Sequence, residues 1–143
     1  MTTSATTEKN LDTALLVLRL IAGAIFIMHG YQKVFTYGFA NVTTMFTQIG
    51  VPMAKLLAPL ICALELVGGF ALLFGAFTRV AAALLACDML GAILLVHIHG
   101  GFFAPKGIEF VLGNFGMLVA LALLGAGAYS VDAMLSRRPS GAP

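Results

Sequence analysis

The sequence predicts an all-α integral membrane protein, with four transmembrane helices in one bundle and a short interfacial helix between helices one and two. Three observations carry that reading. Of the 143 residues, 60% are hydrophobic and only 10% are charged, where soluble domains carry roughly a quarter charged. So little charge leaves lipid as the main solvent. Four apolar stretches, at 11–34, 53–74, 80–98 and 108–129, each approach the ~20 residues that a helix needs to cross the hydrocarbon core. Within them the apolar residues run continuously and do not alternate with period two, which excludes a barrel and leaves helices to satisfy the backbone. The net charge of +2 is spread along the chain, so no nucleic-acid-binding stripe is present.

Residues 1–10, MTTSATTEKN, read as a disordered polar tail and not as a cleavable leader, because the apolar run that follows is long enough to span. The bundle is expected over 11–135 and a second disordered tail over 136–143. Between the first two helices, the connection at 35–52 holds Phe39, Val42, Met45, Phe46 and Ile49 at near-helical spacing, the pattern of a short helix lying in the interface. The link Gly75-Ala76-Phe77-Thr78-Arg79 is tight enough to force helices two and three into an antiparallel hairpin. A Gly/Pro loop at 100–107 with the pair Phe102-Phe103 suits the other interface.

Four crossings put both termini on one side of the membrane. Lys9, Arg79, Arg137 and Arg138 fall on that side and Lys33, Lys55 and Lys106 on the other, so the positive-inside rule leans toward cytoplasmic termini. Small residues for close helix contact include Gly23, Gly68 and Gly69. Cys62 and Cys87 have neither CxxC nor zinc-type spacing and read as buried structural thiols.

An ionisable side chain at the centre of a membrane helix costs on the order of 2.5 to 3.5 kcal/mol, so each needs a partner or a purpose. Glu65 and Asp88 fall near mid-span, with Arg19 about a turn closer to the terminal side. Arg19 is expected to neutralise one or both carboxylates, either to pin helix register or to form a site that binds a polar head group or relays protons. A second cluster lies toward the opposite surface: His29 and Lys33 ending helix one, His97 and His99 ending helix three, and Glu109 opening helix four. On a regular helix His99 shares the Asp88 face and His97 points away. This H-x-H spacing is poor for metal, and no metal site is expected. Arg19, Phe26 and Lys33 form one stripe that faces the bundle, unless the lysine snorkels to phosphates.

These residues sit in segments that resemble the DoxX family of small membrane proteins over 18–135. RLIAGAIFIMHGYQK carries Arg19, Gly23, Phe26, Gly30 and Lys33, and ELVGGFALLFGAFTR carries Glu65, Gly68, Gly69, Gly75, Thr78 and Arg79. VHIHGGFFAPKGIEF carries His97, Gly101, Phe102, Phe103, Gly107 and Glu109, and GAGAYSVDAML carries Gly125, Gly127, Ser130 and Asp132. Two positions depart from the pattern: Ile108, where a glycine is frequent, and the acid Asp88. The resemblance implies a four-helix protein of the bacterial inner membrane, and some members look like subunits of quinone-linked redox systems of sulfur or oxidative-stress metabolism.

A quinone is therefore the expected ligand, although no haem, flavin, iron–sulfur or CxxC motif encodes a redox centre here. A membrane or soluble redox protein is the expected partner, or a second copy of the chain. The alternatives are an assembly subunit whose buried charges only specify packing and a small transporter.

Overall fold

The computed structural model describes residues 2–137, and every regular element among them is helical. Helix α1 spans Thr2–Tyr31 and continues through a π-helical turn, Gln32–Tyr37. Short helix α2, Phe39–Gln48, precedes α3, Ala54–Phe74. Helix α4, Thr78–Ala92, is prolonged by a second π turn, Ile93–His97, and a 3-10 turn, Ile98–Gly100. Helix α5, Glu109–Leu124, and the one-and-a-half-turn α6, Val131–Ser136, complete the chain.

Three continuous helical segments, Ala5–Tyr37, Ala54–Phe74 and Thr78–Gly100, are long and apolar enough to cross a membrane. Helix α5 is apolar but only 16 residues long, or about 24 Å at 1.5 Å per residue.

Several sequence expectations shift at the element ends. Residues 2–10, expected as a tail, are the first turns of α1. The long apolar run beyond them supplies the helix nucleus, and polar residues extend it at little further cost. At about 45 Å, α1 exceeds the ~30 Å hydrocarbon core, so its polar turns stand outside it. The fourth apolar stretch, expected to be helical to 129, stops at Leu124 because Gly125 takes a φ of +87°. Ser136 and Arg137 finish α6 and cap it, while 138–143, including Arg138, lie outside the described residues. The short helix expected after helix one is α2, whose Val42 is buried against Ala58 and Cys62 of α3.

Helix register is set by close backbone approach. A methyl group added to Gly69 would stand 2.7 Å from the Ile27 nitrogen, and one on Gly30 would stand 2.5 Å from the Leu66 nitrogen. Helices α1 and α3 therefore touch backbone to backbone, which only small residues permit. Gly68 faces the Leu85 side chain across the α3–α4 hairpin. Leu72, Leu85, Leu118 and Leu121 fill the core shared by the main helices.

Candidate functional site: a polar layer inside the bundle

The α3–α4 register that sets Gly68 against Leu85 carries Glu65, three residues earlier, opposite Asp88, three residues later. Glu65 is the twelfth of the 21 residues of α3, near mid-span. The α1–α3 register then brings up Lys33 from the π turn. Its Nζ donates to Glu65 Oε1 at 2.6 Å, with 23% of the lysine side chain and 2% of the glutamate exposed. Asp88 interacts electrostatically with both partners, and the Cys62 thiol, one turn before Glu65, lies in the field of all three. Two acids thus meet one amine inside the bundle.

One further buried polar group at about this level, Asn114 of α5, was missed by sequence reasoning. Arg79 Nη1 donates to the Leu123 carbonyl oxygen at 2.6 Å, which aligns the start of α4 with the end of α5. Asp88 lies nine residues beyond Arg79 and Asn114 nine before Leu123, so the antiparallel pair carries both to one level, within about a turn. Asn114 is 2% exposed, and its Nδ2 donates to the Phe110 carbonyl oxygen at 3.0 Å. The available signal was an amide in the middle of an otherwise apolar run, which in a membrane helix calls for a partner. Asn114 Oδ1 is buried without a hydrogen-bond partner among the described residues, while the Glu65 and Asp88 carboxyls lie within hydrogen-bond reach of each other, a contact that one shared proton makes favourable.

Arg19 is not part of this layer, which corrects the expectation that it neutralises Glu65 or Asp88. In the antiparallel α1–α3 register it falls opposite the end of α3, about 21 Å along α1 from Lys33. There it is fully buried, its guanidinium lies against Gly75, and it donates to the Tyr129 carbonyl oxygen at 2.5 Å.

It belongs to a clasp at the terminal end of the bundle. Asp132 accepts from the Phe77 and Thr78 nitrogens at 2.7 and 2.9 Å, so it caps α4 from another element. Arg79 donates to the carbonyls of Ala122, Leu123 and Leu124, where the negative end of the α5 dipole favours a cation. Asp12 accepts from the Ala128 nitrogen at 2.8 Å.

The second predicted cluster disperses. His29 is exposed, with its ring 6.0 Å from that of Phe110. His97 Nδ1 lies 3.0 Å from the Lys106 carbonyl oxygen, and Glu109 Oε1 accepts from the Ala104 nitrogen at 2.7 Å, so both fasten the 100–108 loop. His99 sits exposed in the 3-10 turn. It does not extend the Asp88 face as a regular helix would have it, because the π turn at 93–97 widens the spiral and shifts its angular phase.

Two open, shallow clefts lie away from the polar layer. One is lined by 47–56 around Lys55, the other by Thr78, Arg79, Gly125 and Asp132 at the clasp. Within the layer Glu65 is buried, whereas Lys33 and Asp88 are each part-exposed.

Comparison with known proteins gives a coherent set. Residues 14–98 match the family model described as DoxX. An uncharacterised membrane protein of Mycobacterium tuberculosis is 35% identical over 136 residues, covering 87% of this chain and 83% of the relative. The inner membrane protein YqjF of Escherichia coli is 34% identical, over 89% of this chain and 95% of its own. A Bacillus subtilis protein named "Putative oxidoreductase CatD" is 33% identical, over 73% of this chain and 75% of its own. No solved structure matches.

Proposed function

The chain belongs to the DoxX family of integral membrane proteins, and from that premise we propose that it is the membrane subunit of a quinone-linked oxidoreductase. The observation that carries this reading is the buried Lys33–Glu65 pair with Asp88 beside it. Paired acids sharing one amine near mid-span form a group that can hold and release a proton at little structural cost.

The donor set fits a quinone-type head group. Lys33 offers N–H donors to a carbonyl oxygen, and the adjoining Glu65–Asp88 carboxyl pair can hold one proton between its two acids. Such a group, when bound, supplies a carrier of two electrons and two protons. In this reading Lys33 orients the head group and the acids exchange its protons. The apolar faces of α1 and α4 exclude water. The chain encodes no redox-centre motif, so the electrons come from a partner protein, and the name of the Bacillus relative supports the oxidoreductase class. We place the protein in the bacterial inner membrane, as its Escherichia coli relatives are named, with both termini cytoplasmic.

A second reading, an assembly subunit without chemistry of its own, is favoured by the clasp, where Asp12, Arg19, Arg79 and Asp132 are all committed to backbone groups. The two separate in one experiment. Protein extracted in mild detergent is examined for bound quinone by organic-phase mass spectrometry, comparing wild type with Glu65→Gln and Asp88→Asn. Quinone retained by wild type and lost from folded variants supports the redox reading. Wild type that neither retains nor takes up quinone overturns it.

A further inference from the structure

Two charged side chains of the clasp keep bonding capacity beyond the contacts they make. Arg79 carries five N–H donors. Three go to the carbonyls of Ala122, Leu123 and Leu124, two from Nη1 and one from Nη2. The Nε–H and the second Nη2–H remain, neighbours on the planar guanidinium, in the fork that holds a phosphate by two parallel bonds. Gly125, at a φ of +87°, leaves that side clear: a methyl group on it would stand 3.2 Å from Nε. Asp132 offers a carboxylate with about four acceptor positions, and the Phe77 and Thr78 nitrogens occupy two.

Arg79 and Asp132 line one cleft of about 450 Å³, a volume typical of small-molecule sites. Among the described residues they form no ion pair with each other. The Arg19 guanidinium acts on Asp132 electrostatically but is fully buried, so it offsets part of the acid's charge without entering the cleft. A cation and an anion set apart on the walls of one cleft are complementary to a molecule that carries both charges.

The place of the cleft in the bundle narrows the choice. It lies where the segment Ala54–Phe74 ends and Thr78–Gly100 begins, at the depth of lipid head groups. Its apolar walls, Phe77, Val80 and Leu124, are exposed and suit the first methylenes of acyl chains. An open, shallow cleft can hold a head group while the tails stay in the bilayer.

We propose that this cleft binds a zwitterionic phospholipid whose head group ends in a primary ammonium, with the phosphate on Arg79 and the ammonium on Asp132. Basic pockets between membrane helices take anionic head groups. Here the Asp132 carboxylate turns the site toward a lipid that brings its own cation. The site stands apart from the Lys33–Glu65–Asp88 layer and does not rest on the quinone reading.

The test is native mass spectrometry of the delipidated full chain in mild detergent, titrated with phosphatidylethanolamine, phosphatidylglycerol and diacylglycerol of matched acyl chains. Phosphatidylethanolamine should bind about tenfold tighter than phosphatidylglycerol, the scale of one charge-assisted hydrogen bond. Diacylglycerol, which has no phosphate, should bind weakest. Asp132→Asn keeps a capping oxygen and removes the charge, so the preference between the two phospholipids should vanish. Arg79→Lys keeps the charge and loses the fork, so it should weaken both phospholipids by a similar factor and leave diacylglycerol unchanged. Clasp residues acting only through packing would shift all three lipids together.

Equal or tighter binding of phosphatidylglycerol by wild type removes the ammonium from Asp132 and overturns the proposal. So does diacylglycerol that binds as tightly as phosphatidylethanolamine, which would make the cleft a groove for acyl chains alone. A preference unchanged in Asp132→Asn, with the fold verified by thermal midpoint, places the head group elsewhere and overturns it too. Should Arg79→Lys fail to fold, the Asp132→Asn comparison decides.

Discussion

Lys33 and Glu65 meet at 2.6 Å although one ends the first helix and the other occupies the middle of α3. Breaking such a pair from one side leaves a buried charge uncompensated, at a cost of about 3–5 kcal/mol. Lys33→Met should therefore lower the thermal midpoint in detergent sharply. Lys33→Met combined with Glu65→Leu should recover most of the loss, since the pair's own net contribution is small. A double variant as unstable as the single would show that the lysine stabilises by something other than this partner.

Arg79 fastens α4 to the C-terminal carbonyls of α5. Arg79→Ala should cost about 1 kcal/mol and raise protease sensitivity near Gly125. Arg79→Lys, which keeps the charge but not the planar fork, should fall between the two.

Asp132 caps α4 through the Phe77 and Thr78 nitrogens. Replacing a capping acid by alanine costs roughly 0.5–2 kcal/mol, whereas Asp132→Asn keeps one acceptor oxygen and should cost less. Chemical denaturation of the three proteins in detergent measures the order; identical midpoints for alanine and wild type would mean that the cap contributes nothing.

The helix contacts can be probed with single methyl groups. Gly69→Ala drives a Cβ to 2.7 Å from the Ile27 nitrogen, and overpacking of that kind costs about 1–3 kcal/mol. Gly116→Ala meets nothing within 4 Å and should be neutral, or stabilising by up to about 1 kcal/mol through better helix propensity. Equal effects of the two substitutions on the thermal midpoint would contradict the α1–α3 contact.

Topology follows from charge once the ion pair is known. Lys33 is engaged inside the bundle, which leaves Lys55 and Lys106 on the loop side against Lys9, Arg79 and Arg137 on the terminal side. Reporter fusions to either terminus should report the cytoplasm. A periplasmic signal from both fusions would reverse the assignment.

Hydropathy and spacing were enough for the class of fold, the helices, the tight α3–α4 hairpin and the ionisable residues that needed explaining. Those are local properties: a chain segment in lipid must satisfy its own backbone, so a long apolar run declares itself as a helix whatever its neighbours do. Which charge meets which is a property of pairs of helices and depends on their axial offset. That offset is set by backbone contacts such as Gly69 on Ile27 and Gly30 on Leu66.

Arg19 and Lys33 stand on one stripe of α1, and depth along the helix favoured Arg19 as the partner of Glu65 and put Lys33 in a separate cluster. Only the offset gave the acid to Lys33 and sent Arg19 to Tyr129. The π turn at 93–97 moved His99 off the face that a regular helix assigns. Asn114 reached the level of Asp88 through the α4–α5 alignment. Hydrophobic periodicity records which way a helix turns its apolar face, and holds nothing about how far it slides along its neighbour.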